Sequence, residues 1–375
     1  MVQILIGNMF ESTAQTLVNT VNCVGVMGKG IALEFKRRFP DMYDDYVPRC
    51  QAGEVRLGRP YLFRRASIPW ILNFPTKDHW RSVARLDSIV AGLRYLKRHY
   101  RGWGITSLAV PPLGCGQGQL EWRVVGPTLV RFLRELEIPI DLYAPFGTPS
   151  EELQLDFLEH SPDSSGESDG GVPRSRIDPS WVALVEILKR IEQEPYHWPV
   201  GRVAFQKIAY FATESGLPTG LNYERGSFGP YARQAKQLTT RLVNNGLVTE
   251  SRLGRMFAVH VGPTYRDARS VFRSQLMEWD PIIDKVTDLL VRMNTEQAEI
   301  AATVHFVARN VTNQKGRRPR EDEVLAEVMN WKQKRRPPLN EFQVAHSIRS
   351  LNLLSWLDAQ ASPDLPLPED ELRGI

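Results

Sequence analysis

Two glycine-rich segments carry the clearest chemical signal in this sequence. The first, Val21-Asn-Cys-Val-Gly-Val-Met-Gly-Lys-Gly-Ile-Ala-Leu-Glu-Phe, reads as a strand, a run of glycines and a helix. Gly25, Gly28 and Gly30 permit positive φ and close backbone approach. A helix starting near Gly30 turns N–H groups and a positive dipole end toward an anion. The second, Pro112-Leu-Gly-Cys-Gly-Gln-Gly-Gln-Leu-Glu-Trp, also follows a strand and sets Gly114, Gly116 and Gly118 before another helix. A single such turn usually only redirects the chain. Two of them after adjacent strands would clamp a diphosphate from both sides. Neither matches a Walker A loop or a spaced GxGxxG with a downstream acid, which disfavours NTPase and dehydrogenase chemistry.

The remaining reactive side chains are scattered. The three cysteines, Cys23, Cys50 and Cys115, form no CxxC pair, and the seven histidines form no HExxH or HxH. A disulfide framework and a structural metal are therefore not expected, and a reducing cytoplasm fits best. Cys115 lies between glycines with no recognisable histidine partner, so a small loop residue suits it better than a thiol nucleophile. Trp80 and Trp122 can stack on a base or pack half-buried, and both readings stay open. The basic runs Lys315–Arg320 and Lys332–Arg336 can touch nucleic acid, although charge runs are usually solvated faces.

The elements that position these residues follow from pattern. The 375 residues carry a net charge of +4, 42% hydrophobic and 24% charged residues, an ordinary globular balance that permits nucleic-acid binding without indicating it. No apolar run approaches the roughly 18 residues of a membrane span, and the amino terminus lacks the features of a secretory signal. A soluble protein with no membrane partner is expected. Residues 159–180 are dominated by Ser, Asp, Gly and Pro and predict a flexible linker. The domains are then 1–158, 181–360 and a flexible tail, 361–375. In the first, strands at 2–6, 16–21, 69–74, 107–111 and 138–143 alternate with helices at 30–39 (stopped by Pro40), 86–100 and 123–135. This predicts an α/β fold with helices on both sheet faces. In the second, helical periodicity covers 181–192, 203–214, 231–246, 271–294 and 298–309. A hairpin over 246–261 after a helix suggests a winged-helix-like element in a mostly α-helical domain.

Gly7-Asn-Met-Phe after the first strand, Val18-Asn-Thr-Val-Asn22, the Met27-Gly-Lys-Gly-Ile-Ala turn and Pro112-Leu-Gly-Cys-Gly together resemble a macrodomain, the ADP-ribose-binding three-layer α/β/α fold with a mixed sheet. Asn73-Phe-Pro-Thr-Lys77-Asp-His-Trp80-Arg is similar to the branch containing the terminal ADP-ribose protein glycohydrolase. A macrodomain of this branch, a linker and an α-rich second half resemble the layout of the DarG family, antitoxins that reverse DNA ADP-ribosylation by DarT toxins.

The resemblance implies roles. Gly7, Asn8 and Met9, within Gly7–Phe10, would line the adenine pocket. The family usually has Asp where Asn8 stands, and Asn keeps an acceptor but no charge. Asn22 would hold the distal ribose. Gly25, Met27, Gly28, Lys29, Gly30 and Ile31, with Gly114, Cys115, Gly116, Gln117 and Gly118, would cradle the diphosphate. Lys77 would act at the anomeric carbon of the distal ribose, as a nucleophile forming a Schiff-base adduct or as a cation stabilising the departing base. The branch's acidic partner falls at Gly118 and is missing; bound water and substrate groups, Glu121 or Asp78 would have to serve. No metal or redox cofactor is implied.

The second half contains a spaced set, Lys207-Ile-Ala-Tyr-Phe, Tyr223-Glu-Arg-Gly-Ser-Phe-Gly-Pro-Tyr231 and Leu242-Val-Asn-Asn-Gly-Leu-Val248. It resembles a domain that binds toxins in several antitoxins, which implies that it holds a cognate DarT-like toxin. The expected activity is removal of ADP-ribose from DNA bases, thymidine above all, in single-stranded DNA. The rivals are hydrolysis of protein-linked ADP-ribose or O-acyl-ADP-ribose, and a non-catalytic ADP-ribose reader.

Overall fold

The computed structural model describes residues 1–160, 177–254 and 256–367. The expected linker falls mostly on residues 161–176, outside the described residues. Two compact units are present: the first takes in Thr239–Asn245, the end of a helix that starts in the second, besides the residues before Ile177, and the second takes in the rest.

The first unit runs β1 (Val2–Leu5), β2 (Thr16–Asn22), α1 (Gly30–Arg38), α2 (Pro40–Gln51), β3 (Tyr61–Phe63), β4 (Trp70–Lys77), α3 (Leu86–His99), β5 (Leu108–Val110), α4 (Trp122–Leu133), β6 (Ile140–Tyr143) and α5 (Leu155–His160). One six-stranded sheet has the order β1-β6-β5-β2-β4-β3. All neighbours are parallel except β3 with β4. Burial on both sheet faces follows from side-chain alternation along each strand. Val18, Leu72, Phe74, Leu108, Val110, Ile140 and Leu142 pack with Ile89, Leu93, Val125 and Leu129 of α3 and α4. Leu17, Val21, Ile71 and Ala109 pack on the other face with Phe35, Met42 and Tyr46 of α1 and α2. The expected three-layer mixed sheet is present.

Two elements go beyond what the sequence pattern indicates. Pro40 stops α1 and also opens α2 at its first position, where its missing N–H has no intrahelical acceptor to lose. The short antiparallel edge strand β3 was not anticipated.

The second unit is mostly helical: α6 (Pro179–Gln193), α7 (Arg202–Glu214), β7 (Glu224–Gly226), β8 (Gly229–Tyr231), α8 (Gln234–Asn244), β9 (Val248–Leu253), β10 (Met256–Val261), α9 (Tyr265–Val271), α10 (Arg273–Glu278), α11 (Asp280–Leu290), α12 (Thr295–Lys315), α13 (Glu321–Lys332) and α14 (Glu341–Leu353). The single helix expected over 271–294 is broken. Phe272 and Trp279 leave helical geometry, and Pro281 sits in the first turn of α11. The hairpin β9–β10 follows α8 as expected, and a winged helix is not confirmed beyond that order. The tail expected to be flexible from residue 361 is packed over its described part. Ser362 and Leu365 are buried, and the Ser362 N–H donates to Glu321 Oε2 at 3.1 Å. Residues 368–375 lie outside the described residues.

The spaced set has a physical basis. Lys207 on α7 is almost fully buried, and its Nζ donates to the carbonyls of Phe228 (2.6 Å) and Pro230 (3.0 Å). Lys332 on α13 donates to the Ser227 carbonyl at 2.7 Å and to Glu299 Oε1 at 3.2 Å. Two buried lysines thus hold the turn between β7 and β8. Gly229, at φ +82°, is required there, because a Cβ would stand 2.6 Å from Thr303 Oγ1. Burial pushes the Lys207 ammonium down to about 8, with Glu299 opposing and Lys332 reinforcing the shift.

The unfolded chain therefore binds more protons than the folded one between about pH 8 and about pH 10.4, and this group's contribution to stability rises with pH across that window. Urea unfolding of the wild type and of Lys207→Met at about pH 7.5 and about pH 9.5 should show the stability difference moving in favour of the wild type. An unchanged difference would contradict the burial of a charged amine at this position.

Candidate active site

The sheet order creates the site. Leaving β2, the chain passes through α1 and α2 to β3 and β4 on one side; leaving β5, it passes through α4 to β6 on the other. β2 and β5 are neighbours, so their connections diverge from adjacent carboxyl ends. That is the switch point at which open α/β sheets hold their ligands. Both glycine-rich segments leave the sheet there.

The first loop is built around Asn22. Its Oδ1 accepts the N–H groups of Val24 (3.0 Å) and Val26 (3.3 Å), and its Nδ2 donates to the Val26 carbonyl at 2.5 Å. From α2, the buried Tyr46 hydroxyl donates to the Asn22 carbonyl at 2.6 Å; burial raises the Tyr46 phenol far above its ordinary range, so it remains a donor. Gly25 (φ +78°) makes the turn and Gly30 (φ +59°) opens α1. Gly28, Lys29 and Gly30 are exposed and Ile31 is half-buried. Lys29 contributes no side-chain cap to α1, and the helix's first N–H groups suit an anion. Met27 is buried among the residues beneath the loop. Its side chain packs, and only its backbone belongs to the loop surface. The same holds for Met9. Asn8 caps the short turn Met9–Glu11: its Oδ1 accepts from the Phe10 N–H at 3.2 Å and its Nδ2 donates to Glu11 Oε1 at 2.9 Å.

The second loop is a rigid frame with an exposed tip. The Leu120 N–H donates to the Gly114 carbonyl at 3.0 Å, the Gln119 N–H to the Gly116 carbonyl at 3.1 Å, and the Ala84 N–H to the Gly118 carbonyl at 3.3 Å. Gly114 and Gly118 are buried, while Gly116 and Gln117 are exposed. A Cβ at Gly118 would stand 2.7 Å from the Ala84 Cβ and 2.9 Å from the Gly114 Cα. No acidic side chain fits at Gly118 in this frame. Burial pushes the Cys115 thiol up to about 12, with Glu121 adding to the shift. It stays protonated at neutral pH and has no nucleophile's character.

Lys77 ends β4 opposite Asn22 of β2, where a register shift follows Val21. Its Nζ donates to the Gln117 carbonyl at the tip of the second loop. The Cys23 N–H donates to the Asp78 carbonyl at 3.2 Å, tying the first loop to the segment after β4. A Cβ on Gly30 would lie 3.8 Å from Gln117 Cγ. Asn22, Lys77, Gln117 and Gly30, named from sequence alone, thus come together. Asp78 Oδ1 is taken by the His79 N–H at 2.8 Å, and Glu121 lies past the loop at the N-cap position of α4, where its side chain makes no cap bond.

Two residues were missed. Tyr46 sits on α2, a helix the sequence reading did not contain. Phe146 is 97% exposed in the turn after β6. Leu5 of β1 pairs with Tyr143 of β6, so Phe146 leaves the sheet beside the Gly7-Asn8 turn. An aromatic between Pro145 and Gly147 directly after a strand was the available signal. The two tryptophans separate: Trp122 is 6% exposed, with its Nε1 donating to the Glu152 carbonyl at 3.1 Å, whereas Trp80 is 46% exposed. In the basic runs, Lys315 and Arg317 pair with Glu323, Arg318 with Asp358, Arg320 with Asp322, Lys332 with Glu299 and Arg335 with Glu296. They are largely internal ion pairs. Among the described residues, no helix is long and apolar enough to cross a membrane.

Comparison with known proteins agrees with this geometry. Residues 18–129 match the macro domain family. The chain is 32% identical over 315 residues to a DNA ADP-ribosyl glycohydrolase of Thermus aquaticus, covering 83% of each chain. It is 36% identical over 242 residues to the enzyme of that name in Mycobacterium tuberculosis, covering 62% of this chain and 64% of that one. It is 42% identical over 167 residues to a DNA ADP-ribosyl transferase-DNA ADP-ribosyl glycohydrolase fusion protein of Thermosipho africanus, covering 40% of this chain and 43% of that one.

The crowding around Gly118 gives a test. Gly118→Asp, which introduces a carboxylate where the branch carries one, should lower the affinity for ADP-ribose at least about tenfold and lower the melting temperature, as overpacking does. Calorimetry and a thermal melt measure both. Unchanged binding with a faster reaction would contradict the rigid frame described for the second loop.

Proposed function

The chain belongs to the DarG family of DNA ADP-ribosyl glycohydrolases, and from that premise we propose that it removes ADP-ribose from bases of single-stranded DNA, thymidine above all, and restrains a DarT-like toxin through its second unit. The observation that carries the hydrolase reading is the placement of the Lys77 amine on the Gln117 carbonyl, at the junction of the two glycine-rich loops. Backbone N–H groups of both loops bind the diphosphate, which orients the distal ribose toward Lys77. Gly7–Phe10 and Phe146 bracket the adenine. Tyr46 is a positioning residue that fixes the Asn22 loop.

In the reaction, the glycosidic C–N bond breaks and its electron pair goes to the base nitrogen. Water supplies hydroxide to the anomeric carbon and a proton to the base. Oxidation states do not change, so no redox cofactor is called for. Lys77 serves either as the amine that forms a transient imine or as the ammonium that stabilises the departing base. With no room for a carboxylate at Gly118, proton transfer falls to water and substrate groups around Lys77.

The second unit supports a binding role. Its two lysines hold a turn rigid and expose Phe228 at the tip, an arrangement with little ordering entropy left to lose on association. A relative in which transferase and glycohydrolase share one chain fits a transferase as the partner.

Lys77→Ala should bind ADP-ribose with unchanged affinity and lose at least about a hundredfold in release from an ADP-ribosylated oligonucleotide. Release at the wild-type rate would remove Lys77 from the mechanism, and release from modified protein but not DNA would favour the rival substrate. Coexpressed with a DarT-like transferase, the same full-length variant should still copurify with it and partly relieve its toxicity. No copurification and no relief would leave hydrolysis as the chain's whole contribution.

A further inference from the structure

Just past Lys77 the chain makes a tight turn that displays an aromatic ring. Trp80 is 46% exposed, although an indole normally contributes its large surface to a core. The turn is locked by its own hydrogen bonds. The His79 N–H donates to Asp78 Oδ1 at 2.8 Å, the Arg81 N–H to His79 Nδ1 at 3.2 Å, and the Ser82 N–H to the His79 carbonyl at 2.9 Å. The His79 ring stacks on Trp80 with centroids 5.4 Å apart and planes 29° apart. The Arg81 guanidinium carbon lies 4.5 Å from the indole centroid. Imidazole and guanidinium thus both lean on the indole, and this ladder of planar groups still leaves nearly half of Trp80 exposed.

The ladder is joined to the site. The Cys23 N–H bond to the Asp78 carbonyl fixes it against the first glycine-rich loop, whose Val24 and Val26 are exposed. Trp80 follows Lys77 by three steps along the chain, a reach of at most about 11 Å. One step along a stacked nucleic-acid strand advances about 3.4 Å. The base next to a modified nucleotide held at Lys77 therefore lies within reach of the ladder.

Resting on the hydrolase reading above, we propose that Trp80 and Arg81 form a platform on which the base adjoining the ADP-ribosylated nucleotide stacks. The chemistry favours a nucleobase over a peptide. Every base has a flat face, so an exposed indole binds it without regard to sequence, and a neighbouring guanidinium adds cation–π attraction and a partner for phosphate. The platform makes DNA a better substrate than the isolated modified nucleoside and asks for an unpaired strand, because a paired neighbour cannot leave its stack. Specificity for the polymer then resides outside the ADP-ribose pocket.

The test compares ADP-ribosylated thymidine with the same modification inside a short single-stranded oligonucleotide, using the full chain. Trp80→Ala should raise KM for the oligonucleotide, relative to KM for the nucleoside, by about fivefold to about a hundredfold, the equivalent of one stacked base. kcat should follow much less. Trp80→Phe should recover most of the loss, and Arg81→Ala should give a smaller loss of the same kind with a weaker salt dependence. Equal losses on both substrates, or no loss on the oligonucleotide, would overturn the platform while leaving the hydrolase reading intact. A wild-type protein that releases nothing from either DNA substrate would overturn both.

Discussion

Everything at the site depends on one constraint of parallel sheet geometry: β5, β2 and β4 end side by side at the same edge. Neighbouring parallel strands deliver their carboxyl ends to one rim, so whatever follows each strand meets there. Glycine-rich loops follow β5 and β2, and Lys77 closes β4. The bond from the Lys77 amine to the Gln117 carbonyl is the contact in which this convergence becomes chemical.

The glycines serve two distinct purposes. Gly25 and Gly30 adopt positive φ and let the first loop turn while leaving peptide N–H groups uncovered. Gly118 is needed for space, since Gly114 and Ala84 occupy the volume a side chain would take. That second role explains the missing acid. The frame that presents the tip of the second loop is too closely packed to hold a carboxylate at that position. The absence of an acid there follows from the loop's own rigidity.

Much of this was legible in the residues because the relevant signals are local. Strand, glycines and helix in succession identified both loops, and the strand pattern before Lys77 put it near a strand end. What escaped depended on tertiary context. Pro40 both ends one helix and begins another, and sequence alone favoured only the first function. With α2 unseen, Tyr46 could not be tied to Asn22. β3 has three residues, too few for periodicity to register. The break at Phe272 and Trp279 was hidden because apolar residues continue at helical spacing across it. Ser362 and Leu365 looked like tail because Pro and Asp surround them, yet Glu321, held by Arg349 and Asn352, supplies a buried acceptor that fixes the segment. The two tryptophans were indistinguishable in sequence, and burial alone separates them.

The structure of the full chain with ADP-ribose bound tests the central claim most directly. The account predicts N–H groups of both glycine-rich loops on the diphosphate, with Lys77 Nζ within about 3.5 Å of the distal anomeric carbon. A diphosphate held elsewhere, or an anomeric carbon out of the lysine's reach with the amine still on the Gln117 carbonyl, would contradict it.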